Sequence, residues 1–136
     1  MQQAVTSLIS FCKIADPRGN LTVVEQYKEV PFAIRRVYWT YDVPTGESRG
    51  GHAHKHCREV LVAVSGSFSV TLDRAGERQT FLLNHPYQGL LVDRGVWRTL
   101  EDFSSGAVCL VLAEDAFDEA DYIYDYEEYR AYARRL

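Results

Sequence analysis

The stretch "RGGHAHKHCREV", residues 49–60, sets three histidines at alternating positions among two glycines, two arginines, a cysteine and a glutamate. Alternate residues of a strand share a face, so His52 and His54 point together. His56 has the same parity but lies further along. Two imidazoles with Glu59 could hold a metal ion. The same imidazoles could instead take and return protons at neutral pH, because histidine is the side chain whose unperturbed pKa lies nearest neutrality. A polar strand with histidines facing water is the ordinary alternative. Tyr38 is a further chemical group. In "RRVYWTYD" the set Arg36, Tyr38 and Thr40 occupies one strand face, and Arg35, Val37, Trp39 and Tyr41 the other. The first set is the more polar and suits a ligand-lined interior.

Strands must carry these groups, and the chain is rich in strand signals. "LTVVEQ", "AIRRVYWTYDV", "REVLVAVSG", "SFSVTLDRAG", "ERQTFLLN", "QGLLVDRG" and "AVCLVLAE" are alternating or β-branched runs separated by turn formers. Strands of this length and spacing predict an all-β sandwich or barrel. "SGS" at 65–67 and "DRAGE" at 73–77 read as hairpin turns, where glycine supplies a positive φ. At the end, Tyr122, Ile123, Tyr126, Tyr129 and Tyr132 in "DEADYIYDYEEYRAYARRL" recur at helical spacing, which predicts a short C-terminal helix laid on the barrel. Its tyrosines read as packing rather than as a cofactor site.

A length of 136 residues predicts a single domain over residues 1–136 with one core. The net charge of −4 argues against nonspecific nucleic-acid binding, which needs a concentrated basic face. Composition is that of an ordinary globular chain, with no membrane span and no signal peptide in "MQQAVTSLISFCKIADPRG", so the expected location is the cytoplasm. Cys12, Cys57 and Cys109 lack paired metal spacing and read as reduced thiols, with Cys109 in the core. Acidic residues crowd the C-terminal end, whereas arginines are scattered through the body. Some of those could converge on a phosphorylated ligand, since a guanidinium grips phosphate oxygens in pairs.

The histidine stretch has a wider frame: Gly46, five residues, His52-Ala53-His54, four residues, Glu59, six residues, Gly66. This resembles the first motif of small cupin barrels, which implies a cupin-type double-stranded β-helix (jelly-roll barrel). Metal-binding cupins add a histidine from a second motif. The corresponding stretch here is "DRGVWR", residues 93–98, with Arg98 in the histidine's place. A guanidinium has no lone pair for a metal and would repel it, which points instead to an anionic ligand or a substrate oxyanion. His52, His54 and Glu59 remain as the metal-dependent alternative.

From "ADPRGNL" to "YDYEEYRAY" the chain resembles the dTDP-4-keto-6-deoxyglucose 3,4-ketoisomerase family, most specifically in "RG" followed by "HAHK", the "VW" before residue 98, "DFSS" and "DEADYI". The resemblance implies a metal-free, cofactor-free isomerase that moves a carbonyl from carbon 4 to carbon 3 of a nucleotide-linked hexose. It further implies a homodimer with exchanged N-terminal strands. Carried over by position, His52 and His54 become the acid/base pair, with Tyr38 as proton relay or hydroxyl ligand. Arg18, Arg36, Arg49, Lys55 and Arg98 become the substrate-binding residues. Arg98 stands where some members have histidine, which favours the gluco product over the galacto one, while Arg18 pulls the other way. Glu59 stands where an amide is more usual. A noncatalytic nucleotide-sugar-binding cupin is the other competing reading.

Overall fold

A computed structural model describes residues 7–136. Ten strands form two five-stranded sheets: β1 (Leu8–Ser10), β2 (Arg36–Thr40), β3 (Arg49–His54), β4 (Glu59–Ser65), β5 (Phe68–Arg74), β6 (Glu77–Leu83), β7 (Gln88–Val92), β8 (Trp97–Glu101), β9 (Val108–Ala113) and β10 (Tyr122–Ile123). The first sheet runs β1-β7-β4-β9-β2 and the second β10-β3-β8-β5-β6, with antiparallel pairing between the named strands. One helix, α1 (Tyr126–Ala133), follows a 3-10 turn at Glu119–Asp121. The all-β expectation with a short C-terminal helix is met. Among the described residues no helix is long and apolar enough to cross a membrane. The first six residues of the stretch read for a signal peptide lie outside the described residues.

Burial explains why β4 is an unbroken apolar run. Leu61 and Ala63 enter the core between the sheets with Phe68, Val70, Leu90, Leu100, Cys109 and Val111, while Val60 and Val62 enter a second cluster with Phe11, Val30, Phe32 and Leu112. A strand covered on both faces needs no polar alternation. The β5–β6 hairpin closes on Ala75 and Gly76 at φ of 55° and 98°, the paired positive angles of a type I′ turn.

Two expectations fail at the element level. "LTVVEQ" is not a ladder strand: only Leu21 and Gln26 make isolated bridges, and Val24 packs against the second cluster. It covers a sheet face instead of joining the sheet. The helical spacing of the tyrosines begins too early as well. Tyr122 and Ile123 pair in β10 with His54 and Ala53, and the helix starts only at Tyr126, capped by the Asp125 carboxylate on the Glu128 amide. Strand β8, which lay in no predicted strand, carries the buried Trp97 and Arg98.

Candidate active site

Strand β3 places both central histidines, and a bulge sets their aim. Its register with β8 shifts between Arg49 and His52, after which His52 pairs directly with Arg98. Gly50 sits in the bulge at φ +84°, and a Cβ there would stand 2.8 Å from the Leu100 side chain. A left-handed φ at so close an approach requires glycine. Beyond the bulge the strand alternates regularly: Ala53 enters an apolar cluster with Trp97, Ile123 and Tyr129 beneath α1, while His52 and His54 face the interior.

The two imidazoles meet there, with Nε2 to Nε2 at 3.1 Å. His54 is fully buried. Its Nδ1 lies 2.8 Å from Asp121 Oδ2 and its Nε2 3.5 Å from Glu59 Oε1. Glu59 is the hub of the polar cluster: Arg98 Nη1 donates to Oε1, the Tyr38 hydroxyl donates to Oε2 at 2.8 Å, and Arg36 Nη2 stands 3.5 Å away. His52, Tyr38 and Arg98 line a cavity of about 490 Å³, with Thr40, Arg49 and Tyr122 among its other walls. The interior side of β2 is thus the predicted one, and Val37, Trp39 and Tyr41 are exposed on the other.

Electrostatics fix the protonation of these groups. Burial, then the charge of Arg98 and the neighbouring His54, lowers His52 to about 3, so its imidazole stays neutral over the working pH range. Burial and the negative charge of Glu59 push the Tyr38 hydroxyl well above the ordinary phenol range, which keeps it a donor. Burial alone would raise the Glu59 carboxyl, but Arg98, with the neighbouring His54 and the hydrogen bond from Tyr38, holds it far below the usual carboxylate range. Arg98 is itself buried, and its Nε and Nη2 have no hydrogen-bond partner among the described residues. A guanidinium among the residues lining a cavity suits an oxygen-rich ligand.

The triad His52, His54 and Glu59 brings its ligand atoms close enough together for a metal ion. The residues nevertheless do not fit one. Both Glu59 oxygens are engaged by donors, and Arg98 puts a fixed positive charge on the oxygen that a cation would need.

The remaining sequence candidates divide. Arg49 lines the cavity mouth and Arg36 joins the cluster through Glu59 and the Tyr122 hydroxyl. Arg18 does not reach the cavity within this chain: it is 91% exposed and paired with Asp16. Lys55 lies one residue past β3, where its amide donates to the Asp121 carbonyl, and its side chain is not on the cavity wall. His56 has left the strand and is exposed, its amide bound to Asp121 Oδ1 and its carbonyl accepting from Arg94. Sequence reasoning missed Asp121, Tyr122 and Tyr124. The first is buried against His54, and both tyrosines line the cavity. The "DEADYI" segment was singled out as a motif, but nothing local marks one acid of that run as buried.

Comparison with known proteins agrees with this geometry. The family described as "FdtA: WxcM-like, C-terminal" matches residues 4–134. A curated relative, TDP-4-oxo-6-deoxy-alpha-D-glucose-3,4-oxoisomerase of Aneurinibacillus thermoaerophilus, is 43% identical over 129 residues, spanning 95% of this chain and 93% of that one. A mutant of the 3,4-ketoisomerase QdtA from Thermoanaerobacterium thermosaccharolyticum, solved in complex with TDP-4-keto-6-deoxyglucose, superposes with a TM-score of 0.92 at 40% identity, covering 94% of this chain and 93% of that one. The WlaRB TDP-quinovose 3,4-ketoisomerase from Campylobacter jejuni superposes with a TM-score of 0.87 at 40% identity, covering 91% and 95%. With a family match running almost end to end and relatives this similar over nearly their whole length, the chain belongs to the FdtA (WxcM-like, C-terminal) family of cupin-fold sugar-nucleotide 3,4-ketoisomerases.

Proposed function

We propose that the chain, acting as one domain over residues 1–136, converts dTDP-4-keto-6-deoxyglucose to dTDP-3-keto-6-deoxyglucose. The observation that carries the reading is the His52–His54 pair, nitrogen to nitrogen at 3.1 Å, with His52 on the wall of a cavity that Arg98 also lines. The reaction is internally balanced. A proton leaves carbon 3, its electron pair moves to form the enediolate, and the carbon 4 oxygen takes up a proton. The carbon 3 hydroxyl then loses its proton while carbon 4 gains one, leaving the ketone at carbon 3. Carbon 3 is oxidised and carbon 4 reduced, so no external oxidant or reductant enters.

In this reading His52, held neutral, is a competent base at working pH, and its partner across the 3.1 Å gap exchanges protons with it. Arg98 stabilises the developing oxyanion with donors that have no partner among the described residues. Tyr38, Glu59 and Arg36 hold that guanidinium in place, and the Tyr38 ring forms part of the sugar's wall. Arg49 at the mouth is placed for the pyrophosphate. An arginine orients oxygens but does not release a proton, so reprotonation of carbon 4 falls to the histidine strand, which favours the gluco product. The 40% identity to a ketoisomerase named for TDP-quinovose, a gluco-configured sugar, supports this choice.

Arg18 and Lys55 belong to the proposal only through a second subunit or a rearranged loop, since neither faces the cavity of its own chain. A homodimer with exchanged N-terminal strands would supply the former. Exposed Val37 and Trp39 on the edge strand β2, with Tyr41 just beyond it, support such a partner surface. A sugar-nucleotide substrate supports a cytoplasmic location.

The test is substitution within the pair. His52→Asn and His54→Asn each fold normally and each lose about 10²- to 10⁴-fold in turnover, the range for a lost general acid or base. Near-wild-type turnover in both variants would remove the proton-transfer assignment.

A further inference from the structure

We propose that Asp121 is a positioning residue of the site, fixing which ring nitrogen of His54 carries a proton; the inference rests on the isomerase reading above. Asp121 lies at the end of the 3-10 turn, and the fold ties it three times to the end of β3 and the two residues that follow it. Its Oδ2 meets His54 Nδ1 at 2.8 Å, its Oδ1 accepts the His56 amide at 2.6 Å, and its carbonyl accepts the Lys55 amide at 2.9 Å. A carboxylate offers acceptors alone, so the nitrogen facing it must be an N–H. The His54 nitrogen left for proton exchange is then Nε2, which faces His52 Nε2 at 3.1 Å.

The other groups around His54 cannot do this. Glu59 approaches from β4 on the Nε2 side and is committed to Arg98 from β8 and to Tyr38 and Arg36 from β2. The Tyr122 ring from β10 packs tilted against the imidazole at 4.3 Å between centroids, and its hydroxyl accepts from Arg36. Among the described residues, Asp121 is the one group hydrogen-bonded to Nδ1. The arrangement is the general one in which a working imidazole is oriented by a third group behind it.

An amide at this position separates orientation from structure. In Asp121→Asn the amide oxygen is claimed by the His56 backbone N–H, a donor that cannot change. The amide NH₂ then faces His54 Nδ1 and demands a lone pair there, which moves the proton to Nε2. The loop keeps its anchor while the histidine loses its tautomer.

The experiment has two readouts on the full-length protein. The first is nitrogen-15 NMR of the histidine rings without substrate. The expected result is a protonated Nδ1 on His54 in the wild type and an unprotonated one in Asp121→Asn. The second is steady-state kinetics with dTDP-4-keto-6-deoxyglucose. In Asp121→Asn, kcat falls by about 10²-fold or more while KM and dTDP affinity stay within about threefold, and Asp121→Glu, which keeps the carboxylate, recovers part of the loss. The proposal is overturned by an unprotonated Nδ1 in the wild type, by wild-type kcat in Asp121→Asn, or by a loss confined to KM. A wild-type protein that does not turn over the substrate would instead sink the isomerase reading, and the ring spectrum would still show whether Asp121 sets the tautomer.

Discussion

At the scale of single residues, the site is governed by one buried ion pair and its neighbours. Removing one partner of such a pair costs about 3–5 kcal/mol, because the other charge is stranded. Glu59 therefore holds Arg98 more firmly than any surface contact could, and burial, with the charge of Arg98 added to it, keeps His52 neutral. That neutrality has a measurable consequence. In the folded chain His52 titrates at about 3, against 6.5 when unfolded. Between those values the unfolded state binds a proton that the folded state refuses, so His52 favours unfolding as pH falls from 6.5 to 3 and is neutral in this respect above 6.5. Urea unfolding of wild type and His52→Asn at pH 7, 5 and 4 checks this. The variant should lose less stability on acidification than the wild type; parallel losses would show that His52 is not held neutral.

Among the elements, the bulge in β3 has the most leverage on function. Gly50→Ala puts a Cβ 2.8 Å from Leu100 at a φ of +84°, and backbone strain of this kind costs about 1–3 kcal/mol. Relief by flattening the bulge would rotate His52 away from Arg98. We expect Gly50→Ala to be both less stable and at least about tenfold slower, since small misplacements of catalytic groups are costly; stability loss with full kcat would mean that the bulge does not aim the histidine. The elements also show what could be read from sequence. The histidine pair was legible because a strand's period of two fixes its face, and Gly66 in "SGS" marked a hairpin turn, whereas the bulge at Gly50 was not read. "LTVVEQ" was misread because an apolar segment that covers a sheet has the same composition as one that joins it. Tyr122 was assigned to a helix because its spacing from Tyr126 and Tyr129 is helical by accident of a strand preceding the helix. The Arg98–Glu59 pair and the Asp121–His54 contact span 39 and 67 positions, so only the folded sheets bring them together.

For the molecule as a whole, two sheets enclose a cavity whose polar end holds the histidines and whose outer face is left partly apolar. Val37 and Trp39 on the edge strand β2, with Tyr41 just beyond it, are exposed, and we propose this face as the contact with a second copy of the chain, which would bring Arg18 to a cavity. Sedimentation equilibrium should give a dimer, and Trp39→Glu should shift it towards monomer; a wild-type monomer at micromolar concentration would remove the shared-subunit role of Arg18. The central claim is the reaction itself, and it is tested most directly by incubating the purified chain with dTDP-4-keto-6-deoxyglucose in deuterated buffer and following the sugar by proton NMR. The predicted outcome is conversion to the 3-keto sugar, with deuterium at carbon 4, no exchange at carbon 5, and the large coupling between hydrogens at carbons 4 and 5 of a gluco product when the reaction is repeated in ordinary water. A small coupling would overturn the stereochemical argument from Arg98, and a substrate that binds but is recovered unchanged would contradict the account of the site as an isomerase.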